Sequence, residues 1–115
     1  MAAAYRAFAK IYLAHGNDDQ EAAFGPGLIA LLRSVRDTGS LNRAAKDMHM
    51  AYSKAWKLMN SAEEQLGVQL IVRDGARGST LTDEATRLVT AYDTVNQEVS
   101  DFATKRLKEE LAKLK

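Results

Sequence analysis

Gly39-Ser40-Leu41-Asn42-Arg43-Ala44-Ala45-Lys46-Asp47-Met48-His49-Met50-Ala51-Tyr52-Ser53-Lys54-Ala55-Trp56-Lys57 is the stretch on which the fold turns. Gly39 stops whatever helix precedes it, and the Ser40 hydroxyl is suited to cap a new one. Leu41, Ala44, Ala45 and Met48 then recur at i, i+3, i+4 and i+7, a helix of about two turns. After a turn at His49 the same spacing resumes: Ala55, Leu58, Met59, Ala62 and Leu66 share one face, and Gly67 follows where a left-handed cap belongs. A short helix, a tight turn and a longer helix make a helix-turn-helix. With about 100° per residue, the longer helix turns Ser53, Lys57 and Asn60 away from its apolar stripe, with Lys54 on one flank and Tyr52 and Trp56 on the other. Ser, Lys and Asn are side chains that bond phosphates and base edges.

Upstream, Gly25-Pro26-Gly27 breaks the chain, and Leu28, Leu31, Leu32 and Val35 mark a first helix able to brace the other two. Residues 5–13 alternate, with Tyr5, Ala7, Ala9, Ile11 and Leu13 on one side and Arg6, Phe8, Lys10 and Tyr12 on the other. That fits a half-buried strand, although the alanine content also admits a helix. With turn residues at 15–19 and a second short segment at 21–24, an N-terminal β-hairpin is the favoured reading. Downstream, residues 68–72 are apolar and branched, residues 73–80 form a loop, and Leu81 opens a return strand, together a small β wing. Thr82 can cap a last helix over 83–115, with Asp83 and Glu84 at the positive end of its dipole. Leu88, Tyr92, Val95, Val99 and Phe102 form a heptad stripe that continues through Ala103 to Leu107, Leu111 and Leu114. A helix of some 30 residues runs about 45 Å, longer than so small a core can cover, so the stripe is expected to pack on a second copy.

The whole chain of 115 residues has 16 Lys plus Arg against 15 Asp plus Glu, a net charge of +1 with no overall field toward nucleic acid or membrane. Locally the balance differs, because Arg43, Lys46, Lys54 and Lys57 face a single Asp47, a local excess of +3. With no cysteine and only two histidines, both in turns, neither disulfides nor a metal site is expected, and no nucleophile motif or phosphate loop points to an enzyme. No cofactor is implied. The N-terminus lacks a signal-peptide pattern and no apolar run reaches a membrane span, so a cytoplasmic location without membrane partners is expected.

Gly39-Ser40-Leu41 with Ala44-Ala45, the run from Met50 to Lys57 with its Tyr-x-x-Ala-Trp element, Glu63-Glu64-Gln65-Leu66-Gly67-Val68-Gln69-Leu70 and Leu81-Thr82-Asp83-Glu84 together resemble the N-terminal winged helix-turn-helix domain of the molybdate-responsive ModE regulators. Tyr-x-x-Ala-Trp separates this pattern from the related LysR-type domains. The resemblance spans roughly residues 24–92. It implies a mostly α fold with a small β wing, in which residues 1–82 form a DNA-binding domain carrying the N-terminal β-hairpin and residues 83–115 a long dimerisation helix. It further implies a homodimeric transcription regulator on double-stranded DNA. The candidate DNA contacts are Ser40, Asn42, Arg43, Tyr52, Ser53, Lys54, Lys57, Arg73 and Arg77, and the candidate dimer contacts Leu88, Tyr92, Val95, Val99 and Phe102.

Three departures stand out. Ala51 replaces the serine usual before the recognition helix, His49 stands where the turn usually has glycine, and the glycine-rich wing shrinks to Gly75-Ala76-Arg77-Gly78-Ser79. The chain also ends where the family's molybdate-binding domains would begin, so oxyanion sensing is not carried over and no small-molecule effector is expected. Tyr52 and Trp56 read first as packing against a neighbouring element and second as a stacking platform for bases. Glu63 and Glu64 read as solvated helix surface. The competing function is a winged-helix dimerisation or adaptor module with weak or no DNA binding, which would show a neutral or apolar patch where a reader shows positive charge.

Overall fold

Helix α1 (Pro26–Thr38) is the centre of the molecule. Proline at its first turn presets the backbone, and Gly39 closes it in the left-handed region at φ 74°, its amide donating to the Val35 carbonyl at 2.7 Å. Leu28, Ile29, Leu31, Leu32 and Val35 are all buried, forming one apolar face of the helix. Their neighbours include α2 (Leu41–Asp47), α3 (Tyr52–Leu66) and α4 (Asp83–Ala112). The computed structural model describes residues 4–14, 22–75 and 78–115.

The helix-turn-helix forms as the apolar spacing requires. Ser40 caps α2, its hydroxyl accepting from the Arg43 amide at 3.1 Å, and Leu41, Ala44 and Ala45 are buried. His49 takes a left-handed φ of 55°, as expected of a residue standing where glycine is usual. Helix α3 buries Ala55, Met59 and Ala62, half-buries Leu58 and Leu66, and ends at Gly67 with φ 71°. Ala51 supplies no side-chain cap, so the first amides of α3 lack the hydroxyl acceptor that Ser40 and Thr82 give to α2 and α4.

Strands β3 (Ile71–Arg73) and β4 (Ser79–Leu81) pair antiparallel with Ile71 opposite Leu81 and Arg73 opposite Ser79. The strand lies later than the apolar run at 68–72 predicts, because Val68 and Gln69 are exposed and lead into it from the Gly67 cap. Glu63 fixes this approach: its Oε2 accepts from the Leu70 amide at 2.7 Å and the Ile71 amide at 3.3 Å. The expectation that Glu63 is merely solvated surface is therefore corrected, since a half-buried carboxylate here satisfies two backbone donors that a three-residue strand leaves open. At the other end, Thr82 caps α4 through the Ala85 amide at 3.1 Å and donates to the Gln69 carbonyl at 2.7 Å.

Among the described residues, the N-terminal pairing joins β1 (Leu13–Ala14) to β2 (Ala22–Phe24), antiparallel. The alternation over residues 5–11 has a different cause, because the partner of this extended segment is a helix. The Ala7 amide donates to Thr104 Oγ1 at 2.9 Å, the Ala9 amide to Ser100 Oγ at 2.8 Å and the Ile11 amide to Tyr92 Oη at 3.2 Å. Tyr92 and Thr104 return hydrogen bonds to the Ile11 and Ala7 carbonyls. Every second amide thus meets a hydroxyl from a helix row spaced at multiples of four.

Helix α4 spans 30 residues and draws the molecule out to 60 × 34 × 25 Å. Ala85 and Val89 enter the core with Leu88 and Tyr92 packed beside them, and Tyr92 lies 6.2 Å from the Phe24 ring. Beyond this point the stripe is uncovered: Val95, Val99 and Phe102 are 49%, 42% and 66% exposed.

Candidate nucleic-acid interface

Helix α3 stands on the surface with Tyr52, Ser53, Lys54, Lys57 and Asn60 all exposed, opposite its buried Ala55, Met59 and Ala62. On α2, Asn42 and Arg43 are exposed as well. The separation follows from helix geometry: with Ala55, Met59 and Ala62 turned into the core, the polar arc is left outside. Ser40 is half-buried and its hydroxyl is engaged in capping α2.

The wing is seated on the first turn of this unit. The Ser79 amide donates to the Gly39 carbonyl at 2.8 Å, and Ser79 is buried. Gly78, at φ 97°, passes so near Gly39 that a Cβ there would lie 2.2 Å from the Gly39 oxygen. Glycine is required here twice over, by conformation and by space. The contact brings the wing beside the start of α2 and α3, and between them opens a cleft of about 210 Å³ walled by Ser40, Asn42, Tyr52, Arg73, Gly78 and Ser79, among others.

Arg73, exposed at the end of β3, lies over the Trp56 ring of α3 and reaches the Tyr52 hydroxyl. Its guanidinium carbon is 3.5 Å from the centroid of Trp56, and Nη2 donates to Tyr52 Oη at 3.3 Å. Tyr52 and Trp56, one helical turn apart, meet edge to face at 6.2 Å and 89°. Trp56 is half-buried against the core, as a packing residue should be, whereas Tyr52 is 44% exposed and forms part of the cleft wall.

Of the sequence-predicted contacts, the fold gathers Ser40, Asn42, Tyr52 and Arg73 around the cleft and leaves Arg43, Ser53, Lys54 and Lys57 exposed on α2 and α3 outside its walls. Arg77 lies outside the described residues. Sequence reading did not join Trp56 to Arg73. The two are separated by the rest of α3 and the turn into β3, and only the spacing of Tyr52 and Trp56 hinted at a shared surface. Among the described residues no group of His, Cys, Asp and Glu is arranged to hold a metal, and no helix is long and apolar enough to cross a membrane.

A short helix, a tight turn and an exposed longer helix, flanked by a two-stranded hairpin, define a winged helix-turn-helix domain. The chain belongs to the bacterial regulatory helix-turn-helix protein, lysR family, whose model matches residues 27–86. Among curated proteins it is similar to the transcriptional regulator ModE of Yersinia pestis, 34% identical over 83 residues, which is 66% of this chain and 32% of that protein. It is also similar to the molybdenum transport protein ModE of Azotobacter vinelandii, 36% identical over 87 residues, 72% of this chain and 32% of that one. The matched part thus spans about a third of these relatives. Among solved structures, the CbnR_DBD–DNA complex superposes with a TM-score of 0.55 at 21% identity, covering 77% of this chain and 97% of that one. A BenM_DBD complex with benA site 1 DNA gives 0.53 at 26%, covering 70% and 95%. The family model and the Yersinia pestis relative are described as regulators, not enzymes, and the resemblance to the N-terminal region of ModE holds.

Proposed function

We propose that this chain regulates transcription as a homodimer on double-stranded DNA, with residues 1–82 forming the DNA-binding domain and residues 83–115 the dimerisation helix. Helix α3 enters the major groove, and the wing lies on the flanking backbone or minor groove. The observation that carries the reading is the polar arc of α3: Ser53, Lys54 and Lys57 are exposed together, opposite the buried Ala55, Met59 and Ala62 and beside the wing's Arg73. The two DNA-bound structures that share the fold support it. The uncovered Val95, Val99 and Phe102 support the dimer, since three large apolar side chains on one heptad stripe lose contact with water only against a second helix. A regulator of this kind acts where the chromosome lies, in the cytoplasm of a bacterium.

Base contacts and phosphate contacts separate experimentally. Lys57→Ala or Ser53→Ala is expected to weaken binding to the preferred site by about 1–3 kcal/mol and to random DNA much less. Arg73→Ala is expected to weaken binding to all sequences alike. If the folded Lys57→Ala and Ser53→Ala dimers keep both affinity and preference, α3 is not the reader and the domain serves as an adaptor.

A further inference from the structure

Arg73 is held before any DNA arrives. An exposed arginine ordinarily gives up the freedom of a long side chain when it grips a phosphate, and that loss is subtracted from its affinity. Here one face of the guanidinium is laid on the Trp56 indole at 3.5 Å, and one N–H is tied to Tyr52 Oη at 3.3 Å. The indole itself cannot swing away: it is half-buried against the core, and the Tyr52 ring meets it at 89°. Stacking occupies a face of the planar group, and the N–H donors not given to Tyr52 remain for an anion. Arg73 also lines the cleft between α2, α3 and the wing.

We propose that Trp56 and Tyr52 are positioning residues, which hold the Arg73 guanidinium over this cleft so that it receives a phosphate oxygen of the DNA backbone already oriented. The inference deepens the DNA-binding reading and rests on it. It assigns to Tyr52 and Trp56 a role distinct from stacking on bases: both act on DNA through Arg73. A lysine at position 73 would keep the charge and lose the planar stack and the forked donors, so charge alone does not substitute.

The test measures affinity for random-sequence duplex against salt concentration, using the full chain. Arg73→Ala is expected to lower the salt slope by about one unit per protomer, as one phosphate contact disappears from each. Trp56→Leu is expected to weaken binding about tenfold while keeping the slope, because the charge remains and only its placement is lost. The double variant Trp56→Leu/Arg73→Ala is then no weaker than Arg73→Ala alone, and Trp56→Phe restores most of the affinity. Independent losses that add in the double variant overturn the proposal, since Trp56 would then contribute only stability or a contact of its own. If Trp56→Leu does not fold, Arg73→Lys decides: binding as tight as the parent overturns the proposal, and a clear loss at unchanged slope supports it. The single tryptophan of the chain supplies a readout without DNA. Its emission is expected to change on Arg73→Ala, and unchanged emission refutes the stack. Absence of DNA binding by the parent protein would defeat the functional reading itself, an outcome distinct from additive losses in a parent that binds.

Discussion

Gly78→Ala tests how the wing is fixed to the helix-turn-helix. Gly78 lies at φ 97°, where a side chain costs roughly 1–2 kcal/mol from backbone strain alone. The new Cβ would fall 2.2 Å from the Gly39 oxygen, which is backbone and cannot rotate aside. One segment must move, and the Ser79 amide then loses its 2.8 Å hydrogen bond to that same oxygen. Because Ser79 is buried, the lost bond costs about 1–3 kcal/mol. The sum is about 2–5 kcal/mol, or a melting temperature lowered by roughly 8–20 °C at about 4 °C per kcal/mol for a domain of this size. Gly75→Ala is the internal control: its φ of 46° is also left-handed, but nothing among the described residues beyond its chain neighbours lies within 4 Å of the added methyl, so about 1 kcal/mol is expected. Urea and thermal unfolding at fixed protein concentration measure both, concentration being held because a dimer's stability depends on it. A Gly78→Ala variant no less stable than Gly75→Ala would refute the account of the wing as anchored to the end of α1.

Ala51→Ser is expected to stabilise the protein by about 1 kcal/mol in the same assay, because residue 51 already has the extended backbone of an N-cap, at φ −62° and ψ 140°, and lacks only the hydroxyl. Ser100→Ala removes the acceptor of the Ala9 amide and is expected to speed hydrogen exchange at Ala7, Ala9 and Ile11 while leaving the α1 amides protected, since a terminal segment opens locally. Sedimentation of the parent chain should give roughly twice 12.6 kDa, and Val99→Asp or Phe102→Asp should give a folded monomer; a monomeric parent at micromolar concentration would remove the dimer from the proposal.

The helices are legible where residues with one physical meaning bound them. Gly39 and Gly67 both take the left-handed caps that their positions after an apolar stripe require, and Ser40 and Thr82 both cap through their hydroxyls. Residues 5–11 show where periodicity is ambiguous. Alternation records that every second amide is satisfied from one side, and it reads the same whether the partner is a strand or, as here, the hydroxyl row Tyr92, Ser100 and Thr104 of a helix. Leu88 and Tyr92 were grouped with the dimer stripe by spacing, yet they lie near enough to α1 and Phe24 to pack within the protomer. The polar arc of α3 was legible from angular arithmetic alone. The Arg73–Trp56 stack was not, because it depends on the path of the chain from Gly67 through Leu70, which Glu63 sets by a contact that spacing does not encode.

Selection of bound fragments from a pool of random duplex DNA tests the central claim most directly. The dimer is expected to enrich an inverted repeat with half-site centres about one helical turn apart, roughly 10 bp, and the enriched bases are expected to fade when the selection is repeated with Lys57→Ala. Recovery of a pool no different from the input, or of an identical motif by Lys57→Ala, would contradict a function in which α3 reads DNA.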